Sequence, residues 1–347
     1  MPRALVIGGT GLIGRAVARH LLPAGWQVTL TGRDPHRMPP DLAAAGARFA
    51  PADRDNAAEL ATAAAAGCDL LLDCICYTPA QARLLLPLAR DAASTVMISS
   101  RAVYVDQAGN HSNSATPPQF RAPITEQQPT MKPGNMPYHS PHGYGANKVA
   151  AEQVLLDSGL PVTVLRPSKI HGQAAAPPRT WYFVKRALDR RPTLLLADRG
   201  AGADHPCAAV NIAALVQAAA RRPGRRILNA ADPDAPDGLA ISRVITALTD
   251  HAWHELLLDD DAPPQLGQHP WHRLPPIILD TTAAQALGYR PVGSYATTVT
   301  HEVSWLLQQA TDCPTWTPPG IDPDQARRWF DYTAEDTWLR VRQRPSH

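Results

Sequence analysis

The chain has 347 residues, with 33 Lys plus Arg against 31 Asp plus Glu, and 44% of its residues are hydrophobic. That length and apolar content suit one large domain, or two intimate ones, with a substantial core. A formal charge of +2 with interspersed signs offers no basic stripe for a nucleic acid, and the cysteines (68, 74, 76, 207 and 313) form no CxxC pair, suggesting neither a zinc knuckle nor a complete disulfide framework.

The first residues pass directly into "RALVIGGTG", and no later apolar run reaches membrane-spanning length. The expectation is a cytoplasmic protein with reduced cysteines, no membrane association and a small-molecule partner. Short, nearly continuous apolar runs recur at Ala4 to Ile7, Val28 to Thr31, Leu70 to Ile75, Thr95 to Ile98 and Val162 to Leu165. Strands apolar on both faces are covered by helices on both sides. Between the first two runs, Ile13, Val17 and Leu21 fall on one helical stripe. The fold class is therefore α/β: a Rossmann-type doubly wound parallel sheet over residues 1–166, with a smaller C-terminal substrate-binding lobe over 167–310 whose contributions interleave. Pro-rich joints mark that lobe, and the extension 311–347 carries three tryptophans, so it is expected to pack on the body.

The segment "ALVIGGTGLIG" puts Gly8, Gly9, Gly11 and Gly14 between the first strand and the first helix. Glycines there permit a tight turn and close approach of backbone amides to a pyrophosphate, which the helix N-terminus also attracts. Gly8, Thr10, Gly11, Leu12, Ile13 and Gly14 are thus dinucleotide-site candidates. At the end of the second strand, "VTLTGRDP" has Gly32 and Arg33 where an NAD enzyme places a carboxylate for the ribose hydroxyls. Arg33 can pair with a 2′-phosphate, which favours NADP. NAD is the alternative, with Arg33 a solvated surface residue and Asp34 reaching the ribose.

"HGYGANK" sets Tyr144 and Lys148 four residues apart at the opening of a helix, on one face. An ammonium beside a phenol favours the phenolate, which suits general acid–base work. Upstream, "TVMISSRAVY" ends the fifth strand with Ser99 and Ser100 at the sheet edge where open α/β folds bind ligands. Ser100 can donate to a substrate oxygen beside Tyr144, or the two serines merely cap the strand. The 43 residues between Ser100 and Tyr144 read either as a lid or as a surface insertion. The His pairs 139/142, 251/254 and 269/272 lack a third ligand, so no metal is expected.

Taken in order, "GGTGLIG", "ADRD", "DLLLDCICYTP", "ISSRAVY", "YGANK" and "VLRPSKIHG" resemble an extended short-chain dehydrogenase/reductase of the NAD-dependent epimerase/dehydratase family, over residue 1 to about 310. The resemblance implies that Ser100, Tyr144 and Lys148 are catalytic, that Asp53 touches the adenine, that Lys148 also holds the nicotinamide ribose, and that the protein is a homodimer. It implies hydride transfer at a carbinol or ketone carbon of a small polar metabolite, with Tyr144 as acid/base. A sugar or sugar-nucleotide epimerase and a non-catalytic nucleotide-sensing or RNA-binding relative are the alternatives. Several positions depart from the family pattern: Arg101 and Ala102 replace a dehydratase Asp-Glu pair, Asp204 replaces a diphosphate-gripping Arg, and Lys169 replaces a common Asn. Arg101, Lys169, His171, Trp181 and His205 are the substrate-pocket candidates, with aromatic core packing the alternative for Trp181.

Overall fold

A computed structural model describes residues 1–121 and 123–342. The strands are β1 (Arg3–Ile7), β2 (Gln27–Gly32), β3 (Arg48–Pro51), β4 (Leu70–Asp73), β5 (Ser94–Ile98), β6 (Val162–Pro167), β7 (Lys169–His171), β8 (Thr193–Leu196), β9 (Pro206–Ala208), β10 (Arg226–Ala230) and β11 (His254–Leu257). Seven of them form one parallel sheet in the order β10-β6-β5-β4-β1-β2-β3. Every residue of β4, β5 and β6 is buried, as expected of strands covered on both faces.

One covering layer contains α1 (Leu12–Leu21), and the other contains α3 (Ala57–Ala64), α4 (Pro79–Asp91) and α5 (Pro141–Leu156), with the short α2 (Pro40–Ala44) beside α1. Val17 and Leu21 of α1 are fully buried, each burial being worth roughly 1.5–3 kcal/mol. The start of α4 is fixed by a capping box between Thr78 and Gln81, with Pro79 in the first turn. Asn56 caps α3 through the amides of Ala58 and Glu59.

After residue 167 the chain builds a lobe from α6 (Trp181–Leu188), α7 (Ala209–Arg221), α8 (Gly238–Thr249), α9 (Thr282–Ala286), α10 (Tyr295–Thr298) and α11 (Thr300–Asp312), with the pairs β8–β11 and β7–β9. Two parts of this stretch return to the sheet. β10 forms its edge beside β6, and α7 packs against α1. The weak alternation past residue 167 conceals β10 because Arg226 and Asn229 interrupt its apolar run. Asn229 is buried all the same, since it accepts from Tyr104 Oη at 2.6 Å and donates to the carbonyls of Ile124 and Asp280. The lobe's core joins Tyr182, Phe183, Ile241, Ile245, Val303 and Leu306. Helices α12 (Pro323–Trp329) and α13 (Tyr332–Arg342) lie against it. There, Trp316 packs edge-on to Trp181 at 5.7 Å and Trp305 at 5.6 Å, and Arg186 pairs with Glu335 at 2.6 Å. Among the described residues no helix is long and apolar enough to cross a membrane.

Candidate active site

The strand order reverses between β1 and β4, the point at which open α/β sheets hold ligands beyond the strands' carboxyl ends. The glycine segment lies there, and two of its glycines are required by packing. A Cβ on Gly9 would lie 2.6 Å from Leu30 Cβ, and one on Gly14 would lie 2.6 Å from Gly9 Cα. Gly8 has φ +75°, a backbone region that glycine adopts without strain. The N-terminus of α1 opens from Gly11 with no side chain capping it, which leaves its amides for an anion.

Two cavities meet at this point. One, of about 620 Å³, runs over Gly32, Arg33, Arg37 and Asp53. The other, of about 600 Å³, is lined by Leu12, Ile13, Ser100, Arg101, Tyr144 and Lys169. Gly8, Gly11, Ile75 and Tyr77 line both, making one groove with a glycine floor at its middle. A dinucleotide fits this shape. Its adenosine end would meet Arg33 and its nicotinamide end would meet Ser100 and Tyr144. Asp34 also lines this end of the groove, while its Oδ1 accepts from His36 N at 2.9 Å and caps a short turn. Asp53 lines the groove while accepting from Asp55 N at 2.9 Å. Beside it, Arg54 is buried and pairs with Asp73 at 2.6 Å.

Ser100 and Tyr144 come together because α5 approaches the turn Arg101–Val103 closely. A Cβ on Gly145 would lie 2.7 Å from the carbonyl oxygen of Ala102, so only glycine permits this contact. Ser140 caps α5 through Gly143 N, and Asn147 donates to the Met136 and Gly143 carbonyls, which fixes the helix start and the direction of Tyr144. Ser100 Oγ accepts from Ala102 N at 3.1 Å, and the side chain is half-buried. It therefore caps this turn and also faces the groove.

Lys148 is buried at 1% exposure. Its Nζ donates to the carbonyls of Cys76 at 2.9 Å and Ile98 at 2.8 Å, and lies 4.5 Å from the Tyr77 ring centre and 6.0 Å from that of Tyr144. Two carbonyl dipoles and an aromatic face hold this charge, and among the described residues no carboxylate neutralises it by contact. Burial and the neighbouring Tyr144 push the Tyr77 phenol up to about 12, so it stays protonated. Tyr77 also stacks on Tyr138 at 5.2 Å with ring planes 7° apart. The segment between Ser100 and Tyr144 thus reaches the groove and is tied down elsewhere. Asp106 accepts from the amides of Ala108, Asn110 and Gln119, and Met131 N donates to Val103 O.

Arg101 and Lys169 lie in the substrate end of the groove, both against the buried Asp204. The other three pocket candidates do not line it. His171 is buried behind β7, with Nε2 2.8 Å from Asp232 Oδ2. Burial alone would lower its pKa, but Asp232 and Glu302 outweigh that and raise it to about 9. His205 is held by Asp232 O at 2.8 Å and Leu279 N at 3.1 Å. Trp181 belongs to the lobe's core. Sequence places these three residues near Lys169 and Asp204 but does not fix which side of its backbone each one faces. Conversely, Tyr77, Ser112, Asn113, Arg179 and Arg273 line the groove although the sequence marks none of them as site residues; only Tyr77 lies in a family motif, "DLLLDCICYTP". Among the described residues no group of three or more His, Cys, Asp or Glu could hold a metal.

Comparisons with known proteins agree with this fold. An NAD(P)H-binding family model matches residues 8–189. No curated protein matches the sequence significantly. Among solved structures, UDP-glucose 4-epimerase of Stenotrophomonas maltophila, with bound NAD and formylated UDP-arabinopyranose, is 17% identical with TM-score 0.69, covering 90% of this chain and 100% of that one. UDP-N-acetylglucosamine 4-epimerase of Bacillus cereus is 16% identical with TM-score 0.67, covering 89% and 100%. The dTDP-glucose 4,6-dehydratase of Bacillus anthracis, in complex with NAD, is 14% identical with TM-score 0.65, covering 90% and 98%.

Proposed function

This chain belongs to the NAD(P)H-binding family, and from that premise we propose that it is an NADP-dependent oxidoreductase acting at a carbinol or ketone carbon of a small polar metabolite. Its fold is that of the epimerases and dehydratases of the extended short-chain dehydrogenase/reductase type. The observation that carries the proposal is the convergence of Ser100 and Tyr144 on the groove that runs over the glycine floor, with the Lys148 ammonium behind them.

When bound, the nicotinamide supplies the hydride acceptor or donor. The Ser100 hydroxyl orients the substrate oxygen, and the Tyr144 hydroxyl exchanges a proton with it. Lys148⁺, fixed by the Cys76 and Ile98 carbonyls, supplies positive field beside the phenol as the proton leaves. At the other end, Arg33 and Arg37 both line the groove beside Asp34, whose Oδ1 caps its own turn, and the position of Gly32 carries no acid. This arrangement supports NADP over NAD.

The test is a carbonyl panel with NADPH or NADH. Consumption of NADPH that Tyr144→Phe abolishes supports the proposal. Interconversion of sugar epimers with no net cofactor consumption overturns it in favour of an epimerase. Biological activity untouched by Tyr144→Phe overturns it in favour of a binding role.

A further inference from the structure

The charges at the substrate end of the groove do not balance. Its charged lining comprises Arg101, Lys169, Arg179 and Arg273 against the single carboxylate of Asp204. Asp204 is 1% exposed and makes contact ion pairs with Arg101, at 2.5 Å, and with Lys169. Arg179 spends one donor on the Ile170 carbonyl at 3.2 Å. Its other acidic neighbour, Glu302, accepts from Thr180 and faces His171. Among the described residues four cations of this lining therefore share one lining carboxylate, an excess of three positive charges around a concave space whose walls are buried at Arg101 and half-buried at Lys169, Arg179 and Arg273.

Buried cations are normally paired, because an unpaired charge removed from water is costly. The wall also keeps donors in reserve. Arg101 is only 8% exposed, yet its Nη1 has no hydrogen-bond partner, and neither does the buried Nε of Arg273. The effect of crowding is visible on Lys169, whose ammonium is brought down to about 8 by burial and by the nearby Arg179 and Arg101, in spite of Asp204. Planar guanidinium groups converging on one space match the oxygens of a carboxylate or phosphate.

We propose that the substrate carries an anionic group, carboxylate or phosphate, which Arg101, Arg179 and Arg273 hold so that its reacting carbon faces Ser100 and Tyr144. This rests on the oxidoreductase reading for the reacting carbon, but the anion site stands on its own residues. The single carboxylate of Asp204 fixes Arg101 and Lys169 in place without neutralising the pocket, and an uncharged ketone would leave the excess charge unanswered.

The experiment reads binding and not turnover. Inorganic phosphate and malonate are titrated calorimetrically into protein saturated with NADPH, and into cofactor-free protein carrying Arg33→Ser so that the adenosine end does not contribute. The wild-type pocket should take up at least one probe saturably. Arg179→Gln and Arg273→Gln, each checked for an unchanged circular dichroism spectrum, should each weaken that uptake about tenfold or more. Tighter phosphate binding assigns a phosphate ester and tighter malonate binding a carboxylic acid; either supports the proposal. Uptake of neither probe, or uptake by both variants as tight as that of the wild type, overturns it. Reduction of uncharged ketones by a protein indifferent to both anions would keep the redox reading and remove this one. Anion uptake without redox turnover would do the reverse.

Discussion

Two lysines flank the same groove, Lys148 buried behind it and Lys169 half-buried in its wall, and their surroundings differ in kind. Lys148 is held by the neutral carbonyls of Cys76 and Ile98 and by the face of Tyr77, so its charge is directed but not cancelled. Lys169 contacts the Asp204 carboxylate and donates to Pro270 O at 2.5 Å, so its charge is largely committed. The difference teaches a division of labour. In the proposed reaction the lysine on the long α5 helix serves a fixed chemical step, while the lysine on the short β7 strand helps to set the charge that the proposed anionic substrate would answer.

The sharpest way to break this comparison is at the phenol. Tyr144→Phe should lower kcat by about 10²- to 10⁴-fold, the range for loss of a positioned acid/base, with NADPH affinity little changed by fluorescence titration. Lys148→Met comes next. It removes the field and leaves two buried carbonyls without their donor, so kcat should fall about 100-fold, whereas Lys169→Met should show chiefly in KM. If steady-state kinetics gave the two lysine variants the same profile, the division would fail.

Gly9→Ala tests the floor. Its Cβ would intrude on Leu30 at 2.6 Å, and a loss of about 1–3 kcal/mol is expected in chemical denaturation. Arg33→Ser should reduce the preference for NADPH over NADH about tenfold, as expected for one charge-assisted contact, measured as the ratio of dissociation constants.

The smallest effect concerns pH. His171 is raised to about 9 in the folded chain, above about 6.5 for an unfolded histidine. Its contribution to stability is therefore complete below pH ~6.5 and is lost as the pH rises through about 9. Thermal unfolding followed from pH 6 to 9.5 should show a declining midpoint, and His171→Gln should flatten that decline.

Much of this molecule is legible in its sequence. The apolar runs mark β1, β2, β4, β5 and β6 because strands covered on both sides must be apolar throughout. "GGTGLIG" marks the groove floor because backbone contacts that close admit only glycine. The expected "DLLLDCI" strand ends at Asp73, two residues early, because Asp73 turns its carboxylate to Arg54 and to Ile75 N. Strand β3 escapes notice because only Phe49 and Ala50 face the interior, and both are half-exposed. The basic chamber is illegible for a different reason. Arg101, Lys169, Arg179, Asp204 and Arg273 come from five separate segments, and only the folded crossovers bring them together. His171, His205 and Trp181 sit close to those segments in sequence but turn toward the lobe's interior.

The glycine contact between α5 and the turn after β5 has a consequence for how this architecture diversifies. Because Gly145 seats directly on Ala102, the Ser100 and Tyr144 hydroxyls are registered by helix against turn, and Met131, Met136 and Ser140 brace that contact. The rest of the intervening stretch can lengthen, shorten or change its rim side chains, Tyr138 included, while the two hydroxyls stay in register. A designer wishing to retarget the pocket has there an adjustable wall around an invariant hinge point.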